Sequence, residues 1–240
     1  MESNAEGYLL CVSGKLNYFH LANRIIKNIF DYDDNRQICI LTDNLHFFQE
    51  NKNDRIILIK FDFNNHLHEN IDSKNDWNKY GLIPKIYQYK YTPFEKTCFM
   101  DVDMIFHKDF TFIWDEFNRS NKPILIGGKC DQNNKSPSNW HWNHIDKVIN
   151  ACGFNCPQVW STIFIYNKTF CNIMNKDVDF ILINLKNWNV LSLYNNGYPD
   201  EIIYSLILGL NKIHTNLEIH DWFENKYNCS PFDKEPLKSL

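Results

Sequence analysis

Two aspartates, Asp101 and Asp103, stand two residues apart directly after the apolar run Thr97–Met100. A short apolar run of this kind is typical of a buried strand, and carboxylates left unpaired at its end are costly. On an extended chain, carboxylates at alternate positions point the same way. Oxygen ligands suit a hard divalent cation such as Mn²⁺ or Mg²⁺, which keeps coordination sites for a phosphate. The pair therefore predicts a metal that holds a diphosphate.

Such a metal would neutralise charge on a departing diphosphate, and this favours transfer from a nucleotide-diphosphate donor. Short D-x-D patterns also occur by chance in solvated turns, so the position after an apolar strand is what favours a site. If no metal is bound, the two carboxylates should repel each other and the pKa of one should rise.

The first hundred residues contain four short apolar runs, as expected for buried parallel strands. They are Tyr8–Val12, Ile38–Leu41, Ile56–Phe61 and Thr97–Met100. Between the first two, Leu21, Ile25, Ile26 and Ile29 share one helical face, and Pro84 stands where helices often begin. The alternation predicts an α/β chain with a mostly parallel sheet and right-handed crossovers.

Polar residues follow the ends of these runs. Ser13 follows the first, Asp43 the second, and Asp101 and Asp103 the fourth. In open α/β sheets, ligands bind outside the carboxyl ends of the strands. We therefore expect these side chains on one rim of the sheet.

The second half of the chain contains fewer clear elements. Two more strands are predicted at Ile124–Ile126 and Thr162–Tyr166, and a helix from Pro199 to Leu210. At 240 residues the chain fits one large domain, so we expect a single domain over residues 1–240.

The composition is ordinary for a soluble globular protein, with 44% hydrophobic and 22% charged residues and a mean hydropathy of -0.45. The net charge of -4, with lysines scattered among acidic residues, gives no basic face for a nucleic-acid backbone. The sequence has no signal-peptide pattern and no apolar stretch long enough to span a membrane. Eight cysteines without a C-x-x-C pair favour reduced thiols. We therefore expect a cytoplasmic protein that does not bind nucleic acid and does not span a membrane.

The segment Ile83–Phe110, IPKIYQYKYTPFEKTCFMDVDMIFHKDF, resembles a block of the GT-A-fold glycosyltransferases, particularly the glycogenin-like (family 8-like) group. YLLCVSGKLNYFHLANRIIKNIF and ICILTD are similar to the first strand and helix and to the second strand of that family. The resemblance covers about the first half of the chain. It implies a Rossmann-like α/β fold of GT-A type, with a nucleotide-binding half over residues 1–103 and an acceptor- and sugar-binding half over residues 104–240.

The resemblance also implies roles for residues in these segments. Lys85 would reach the diphosphate of the donor or the acidic cluster. Val12, Ser13 and Asp43 would line the nucleotide pocket, and Asp101 would contact the nucleotide sugar as well as the metal. The alternative for Lys85 is an ordinary surface lysine on a helix.

Two later segments resemble the family more weakly. QVWSTIFIYN, Gln158–Asn167, is similar to a strand that carries N-S-G beside the donor sugar, and only Ser161 is kept. NGYPDEIIYSLIL, Asn196–Leu208, is similar to a helix that starts with Asp-Gln, so Asp200 would bind sugar hydroxyls. Glu201 stands in place of the amide and could act as a base or a nucleophile. Alternatively, both acids only complement the helix macrodipole.

In the family a histidine completes the metal shell, usually within H-x-x-G. This chain has His214 and His220 without that glycine. We favour His220 as the third metal ligand, with His214 as the alternative. A single histidine is more often structural or exposed than a ligand.

Together these features predict a glycosyltransferase that uses Mn²⁺ or Mg²⁺ to pass a sugar from a nucleotide sugar, preferably a UDP-sugar, to an acceptor hydroxyl of a glycan, protein or small molecule. One alternative is a phosphatase of the haloacid dehalogenase type, whose nucleophile motif is also D-x-D after a strand. That motif normally continues with Gly or Thr, whereas Met104 follows here. The other alternative is a non-catalytic domain that binds nucleotide sugars or glycans.

Overall fold

The computed structural model describes residues 5–49, 53–66, 77–128, 145–188, 190, 200–216, 219 and 229–231. Its strands are β1 (Glu6–Val12), β2 (Gln37–Thr42), β3 (Ile56–Lys60), β4 (Lys96–Met100), β5 (Met104–Phe106), β6 (Ile124–Gly127), β7 (Trp160–Asn167) and β8 (Cys229–Pro231). Its α-helices are α1 (Leu16–Tyr32), α2 (His46–Gln49), α3 (Ile83–Tyr87), α4 (Phe112–Ser120), α5 (Ile145–Cys152), α6 (Lys168–Asn187) and α7 (Asp200–Leu210). A π-helical turn, Trp77–Leu82, leads directly into α3.

The main sheet has six strands in the order β3-β2-β1-β4-β7-β6. Strands β3, β2, β1 and β4 pair in parallel, whereas β7 is antiparallel to both β4 and β6. The six strands expected from the sequence are present, with ends that differ by up to two residues. The expectation of a mostly parallel sheet is confirmed. A second sheet pairs β5 with β8 in the antiparallel direction.

Helices cover both faces of the main sheet, which explains why the strands are continuous apolar runs. Alternate residues of a strand face opposite sides. Leu10 therefore packs in the layer with α1 and α4, and Leu9 packs in the layer with α3, α6 and α7. Both side chains are fully buried, and burial of a leucine stabilises a fold by about 1.5–3 kcal/mol.

Helix α1 presents a buried stripe formed by Phe19, Ala22, Ile25, Ile26 and Ile29. The sequence predicts this face, although Leu21, which it also includes, lies at the margin and is only partly buried. Helix α3 has a proline at its start, as the sequence predicts. It ends after Tyr87, where a 3₁₀ turn, Gln88–Lys90, follows. No described helix of the chain is long and apolar enough to cross a lipid bilayer.

The reversed strand β7 decides which residues reach the rim of the sheet. Its register places Ile163 beside Met100, and the N–H of Asp101 donates to the carbonyl of Thr162 at 2.8 Å. Because β7 runs against β4, the beginning of β7 lies beside the end of β4. Ser161 therefore reaches the rim at which β4 ends.

Candidate active site

Asp101 and Asp103 lie in a turn between β4 and β5. As the sequence predicts, β4 ends at Met100. The expectation that the two aspartates follow it on an extended chain is wrong, because the chain turns at residues 102–103. Asp103 is exposed to solvent, while Asp101 is partly buried. The carboxylate of Asp101 contacts Lys85, so its charge is compensated from within the chain.

Lys85 is buried between two carboxylates. Its Nζ lies 2.9 Å from Oδ1 and 3.1 Å from Oδ2 of Asp101, and 2.7 Å from Oδ2 of Asp200. With only 8% of its surface exposed, Lys85 is not the surface lysine of the alternative interpretation. Burial lowers the pKa of an ammonium, but the charges of Asp101 and Asp200 outweigh it and raise the pKa of Lys85 well above its ordinary value.

Asp200 is a buried carboxylate in the first turn of α7. One of its oxygens, Oδ2, accepts a hydrogen bond from the hydroxyl of Ser161 and also contacts Lys85. A carboxylate at a helix N-terminus is favoured by the macrodipole, but these contacts give Asp200 a second role. It joins α7 to β7 and to α3 at the rim of the sheet.

The cluster carries more negative than positive charge. Among the described residues, it contains the carboxyl groups of Asp101, Asp103, Asp200 and Glu201 and one ammonium group, that of Lys85. Burial, and then the charges of Asp103 and Asp200, raise the pKa of Asp101 to about 7 against the opposing effect of Lys85. Burial and the charge of Asp200 raise the pKa of Glu201 to about 8.

The expected rise of one pKa in the aspartate pair is thus seen at Asp101, although burial contributes more than Asp103. Surplus negative charge on oxygen ligands suits a hard divalent cation. Within the described residues, however, no three His, Cys, Asp or Glu side chains are grouped as a complete metal site. Asp101 and Asp103 could therefore supply only part of a metal shell.

A chain of buried hydrogen bonds supports the backbone of Lys85. The hydroxyl of Tyr204 donates to the carbonyl of Lys85 at 2.8 Å and accepts from Nε2 of Gln88 at 3.1 Å. The hydroxyl of Tyr166 donates to Oε1 of Gln88 at 3.3 Å. Sequence reasoning missed this chain, but Tyr204 lies one helical turn after Asp200, a spacing that places both on one face of α7.

A second cluster lies at the ends of β1 and β2. The N–H of Gly14 donates to Oδ2 of Asp43 at 3.3 Å, and the hydroxyl of Ser13 donates to the carbonyl of Tyr80 at 3.0 Å. In the described part of the chain, Oδ1 of Asp43 is buried and has no hydrogen-bond partner. Burial raises the pKa of Asp43 above its ordinary value, although the hydrogen bond from the N–H of Gly14 and the charge of Lys79 act to lower it. A buried acceptor without a donor is costly, so Oδ1 of Asp43 is suited to a ligand.

The segment with Lys79 and Tyr80 covers this second cluster, which the sequence did not indicate. Gly14 has φ +83°, and a Cβ at that position would lie 2.8 Å from Cβ of Tyr80. A glycine is therefore required both for the backbone conformation and for the close approach. Lys79 and Tyr80 stand just before the helix that contains Pro84, and this position alone does not predict that they contact Ser13 and Gly14.

Neither the side chain of Val12 nor that of His214 joins these clusters. The side chain of Val12 is fully buried in the core, so only its main chain is available to a nucleotide. His214 is exposed after the end of α7. His220 lies outside the described residues.

No protein-family profile matches this sequence, and no curated protein does either. Solved structures do match the fold. Mouse xyloside xylosyltransferase 1 in its apo form superposes with a TM-score of 0.55 at 9% identity, over 89% of this chain and 85% of the mouse chain. The glycosyltransferase GlyE of Streptococcus pneumoniae TIGR4 superposes with a TM-score of 0.51 at 12% identity, over 92% of this chain and 47% of the GlyE chain. The mannosyltransferase Ktr4p of S. cerevisiae in complex with GDP superposes with a TM-score of 0.50 at 11% identity, over 89% of this chain and 69% of the Ktr4p chain.

The chain has a GT-A fold. The fold class expected from the sequence is thus confirmed, whereas the narrower glycogenin-like grouping stays a prediction. The chain spans less than half the length of GlyE. At these identities the likeness concerns the fold, and function must be argued from the site.

Proposed function

We propose that this chain is a metal-dependent glycosyltransferase that passes a sugar from a nucleotide-diphosphate donor, preferably a UDP-sugar, to an acceptor hydroxyl. The observation that carries the proposal is the buried ammonium of Lys85 between Asp101 and Asp200 at the rim of a GT-A sheet. A buried, charged cluster at the carboxyl ends of parallel strands is where α/β folds bind their ligands. The three solved structures described above are all of glycosyltransferases.

Asp101 and Asp103 would hold Mn²⁺ or Mg²⁺, with His220, or alternatively His214, as a third ligand. The surplus of carboxylates over ammonium groups supports this assignment, because a divalent cation would offset it. When bound, the metal supplies Lewis-acid stabilisation of the leaving diphosphate. Lys85 would stabilise the same diphosphate with its ammonium group.

The nucleotide would lie against Ser13, Asp43 and the main chain of Val12. Oδ1 of Asp43 is a buried acceptor that lacks a donor among the described residues. An N–H of a base or a ribose hydroxyl would provide that donor. Asp43 therefore supports recognition of a nucleoside rather than of diphosphate alone.

The sugar would lie between β7 and α7. Asp200 would accept hydrogen bonds from sugar hydroxyls, with Ser161 beside it. Glu201, whose pKa is raised to about 8, would be mostly protonated at neutral pH and could release its proton slightly above it. A carboxyl group poised in this range suits a general base.

Calorimetric binding of UDP and of GDP, each with and without Mn²⁺, tests the nucleotide and metal sites together. We expect UDP to bind in the presence of Mn²⁺ and the binding to be lost in Asp103→Asn. Asp34→Asn is the matched control, because Asp34 is exposed and precedes β2, at the end of the sheet where the parallel strands begin. Binding that is unaffected by Mn²⁺ and by Asp103→Asn would overturn the metal assignment.

Release of UDP from a panel of UDP-sugars then tests the chemistry. We expect Asp200→Ala to reduce release of UDP by at least roughly tenfold, as for a lost contact to the transition state, while UDP binding changes little. UDP binding without release from any donor or acceptor would favour the non-catalytic domain. Phosphate release from a small aryl phosphate without UDP binding would favour the phosphatase.

A further inference from the structure

Two cysteines outside the candidate active site lie in contact. Cys152 ends α5 and Cys156 lies in the segment before β7, and their Sγ atoms are 3.9 Å apart. Cys152 is partly exposed and Cys156 is buried. Oxidants in solution can therefore reach the thiol of Cys152, whereas the thiol of Cys156 is buried and contacts that of Cys152.

The environment of the pair distinguishes the two thiols. A hydrogen bond from Cys156, helped by the backbone of Phe154, lowers the pKa of Cys152 to about 7 against the effect of burial. The same contact, together with burial, raises the pKa of Cys156. Burial also raises the pKa of the other cysteines with described side chains: Cys11, Cys39, Cys98 and Cys171. A thiolate is the reactive form of cysteine, so Cys152 stands apart from these four.

We propose that Cys152 and Cys156 form a reversible thiol–disulfide pair that is oxidised by hydroperoxides. The thiolate sulfur of Cys152 attacks one oxygen of the peroxide, the O–O bond breaks, and the departing hydroxide takes up the proton that the thiol had released. The sulfur of Cys156 then attacks the sulfenic sulfur of Cys152. An S–S bond forms, the S–O bond breaks, and the proton of Cys156 leaves with the hydroxide as water. Two thiols and one hydrogen peroxide thus give one disulfide and two waters.

The pair is packed against α7, the helix that begins with Asp200. A Cβ at Gly209 would lie 2.4 Å from the carbonyl oxygen of Asn155 and 3.2 Å from Cα of Cys156. The hydroxyl of Ser205 donates to the carbonyl of Pro157 at 2.6 Å. The disulfide, with a sulfur separation of about 2.05 Å, would therefore form within a segment that lies directly on α7.

Mass mapping of the full chain after treatment with hydrogen peroxide tests the pair. Trypsin cleaves after Lys147 and Lys168 and so yields one peptide with only these two cysteines. We expect this peptide to lose two hydrogens, to resist alkylation, and to be restored by dithiothreitol. Chymotryptic cleavage after Phe154 should then leave two fragments joined by the disulfide.

The variant Cys152→Ser should lack the cross-link, and its Cys156 should be alkylated when the chain is unfolded. Cys171 is a buried thiol outside the pair, so the control variant Cys171→Ser should keep the cross-link. Hydrogen exchange of the amides of α7 should change on oxidation of the wild type. Full alkylation of both thiols after peroxide, or cross-linking of either cysteine to another residue instead, would overturn the proposal. None of these outcomes depends on glycosyl transfer.

Discussion

At the scale of single residues, the candidate site is held together by one buried cation. Lys85 contacts Asp101 and Asp200 at once. Asp200 is buried and Asp101 is partly buried. A buried charge that loses its partner is far more costly than one at the surface. The arrangement therefore makes Lys85 a determinant of stability as well as a candidate ligand of diphosphate.

Replacing Lys85 with Met should lower the free energy of unfolding at neutral pH by about 3–5 kcal/mol, because Asp200 is left as an uncompensated buried charge. Urea unfolding at neutral pH measures this loss. Lys27→Met is the matched control at an exposed position of α1.

The double variant Lys85→Met/Asp200→Asn should be more stable than Lys85→Met alone, because the unpaired carboxylate is gone. If the single and double variants lose the same free energy of unfolding, the contact between Lys85 and Asp200 does not contribute to stability.

Glu201 should make the wild type less stable at alkaline pH. Its folded-state pKa, about 8, lies above its ordinary value of 4.5. Its contribution to stability is therefore complete below pH 4.5 and is lost as the pH rises through 8. Glu201→Gln should remove this loss, so in urea unfolding the stability of the variant relative to the wild type should rise between about pH 4.5 and about pH 8. Identical pH profiles would mean that the pKa of Glu201 is not raised.

At the scale of elements, the sequence predicted the strands and the residues at their carboxyl ends better than the contacts between them. Ser13, Asp43 and Asp101 follow buried apolar runs, whose length and composition identify strands. The reversed direction of β7 has no local signal, and it is what brings Ser161 to Asp200. The turn at residues 102–103 was missed because these residues include no glycine, proline or asparagine to signal a turn, and apolar residues resume at Met104.

Tyr204→Phe should weaken the connection between α3 and α7. The variant would leave the carbonyl of Lys85 and the amide of Gln88 without their buried partner, at a cost of about 1–3 kcal/mol. Chemical denaturation measures the loss, and Tyr18→Phe, a partly exposed tyrosine of α1, should change stability by less than about 0.5 kcal/mol. Affinity for UDP with Mn²⁺ should also fall in Tyr204→Phe if Lys85 binds the diphosphate. Stability unchanged from the wild type would contradict the hydrogen-bond chain.

At the scale of the whole molecule, a third polar network lies at the end of the sheet where the parallel strand β1 begins. Oδ2 of Asp33 accepts hydrogen bonds from Tyr8 at 2.6 Å and from Arg36 at 2.8 Å, and Nε1 of Trp114 donates to the hydroxyl of Tyr8 at 3.0 Å. Arg36 also pairs with Glu6 at 2.7 Å. The network therefore joins β1, the end of α1 and α4 at a distance from the candidate site.

Acid should weaken this network, because it protonates the carboxylate of Asp33. Burial acts to raise the pKa of Asp33, but the hydrogen bonds from Tyr8 and Arg36 outweigh it and hold the pKa below 3.8. Its contribution is therefore present above pH 3.8 and is lost as the pH falls through the folded-state value. Asp33→Asn should cost about 1–3 kcal/mol at neutral pH, and this difference from the wild type should narrow below about pH 4. A difference that stays constant in acid, measured by urea unfolding, would contradict the assignment.

The hydrogen bond between Tyr204 and the carbonyl of Lys85 joins residues that are 119 positions apart. During synthesis, a ribosome that has released Lys85 and Asp101 must still translate more than a hundred residues before α7 emerges. Throughout that interval the ammonium and the aspartate have no Asp200 beside them, and the rim of the sheet is incomplete. Contacts so distant along the chain form slowly, so the nascent protein should complete the candidate site only after α7 has been translated, when β1, β2 and β4 are already available to pair.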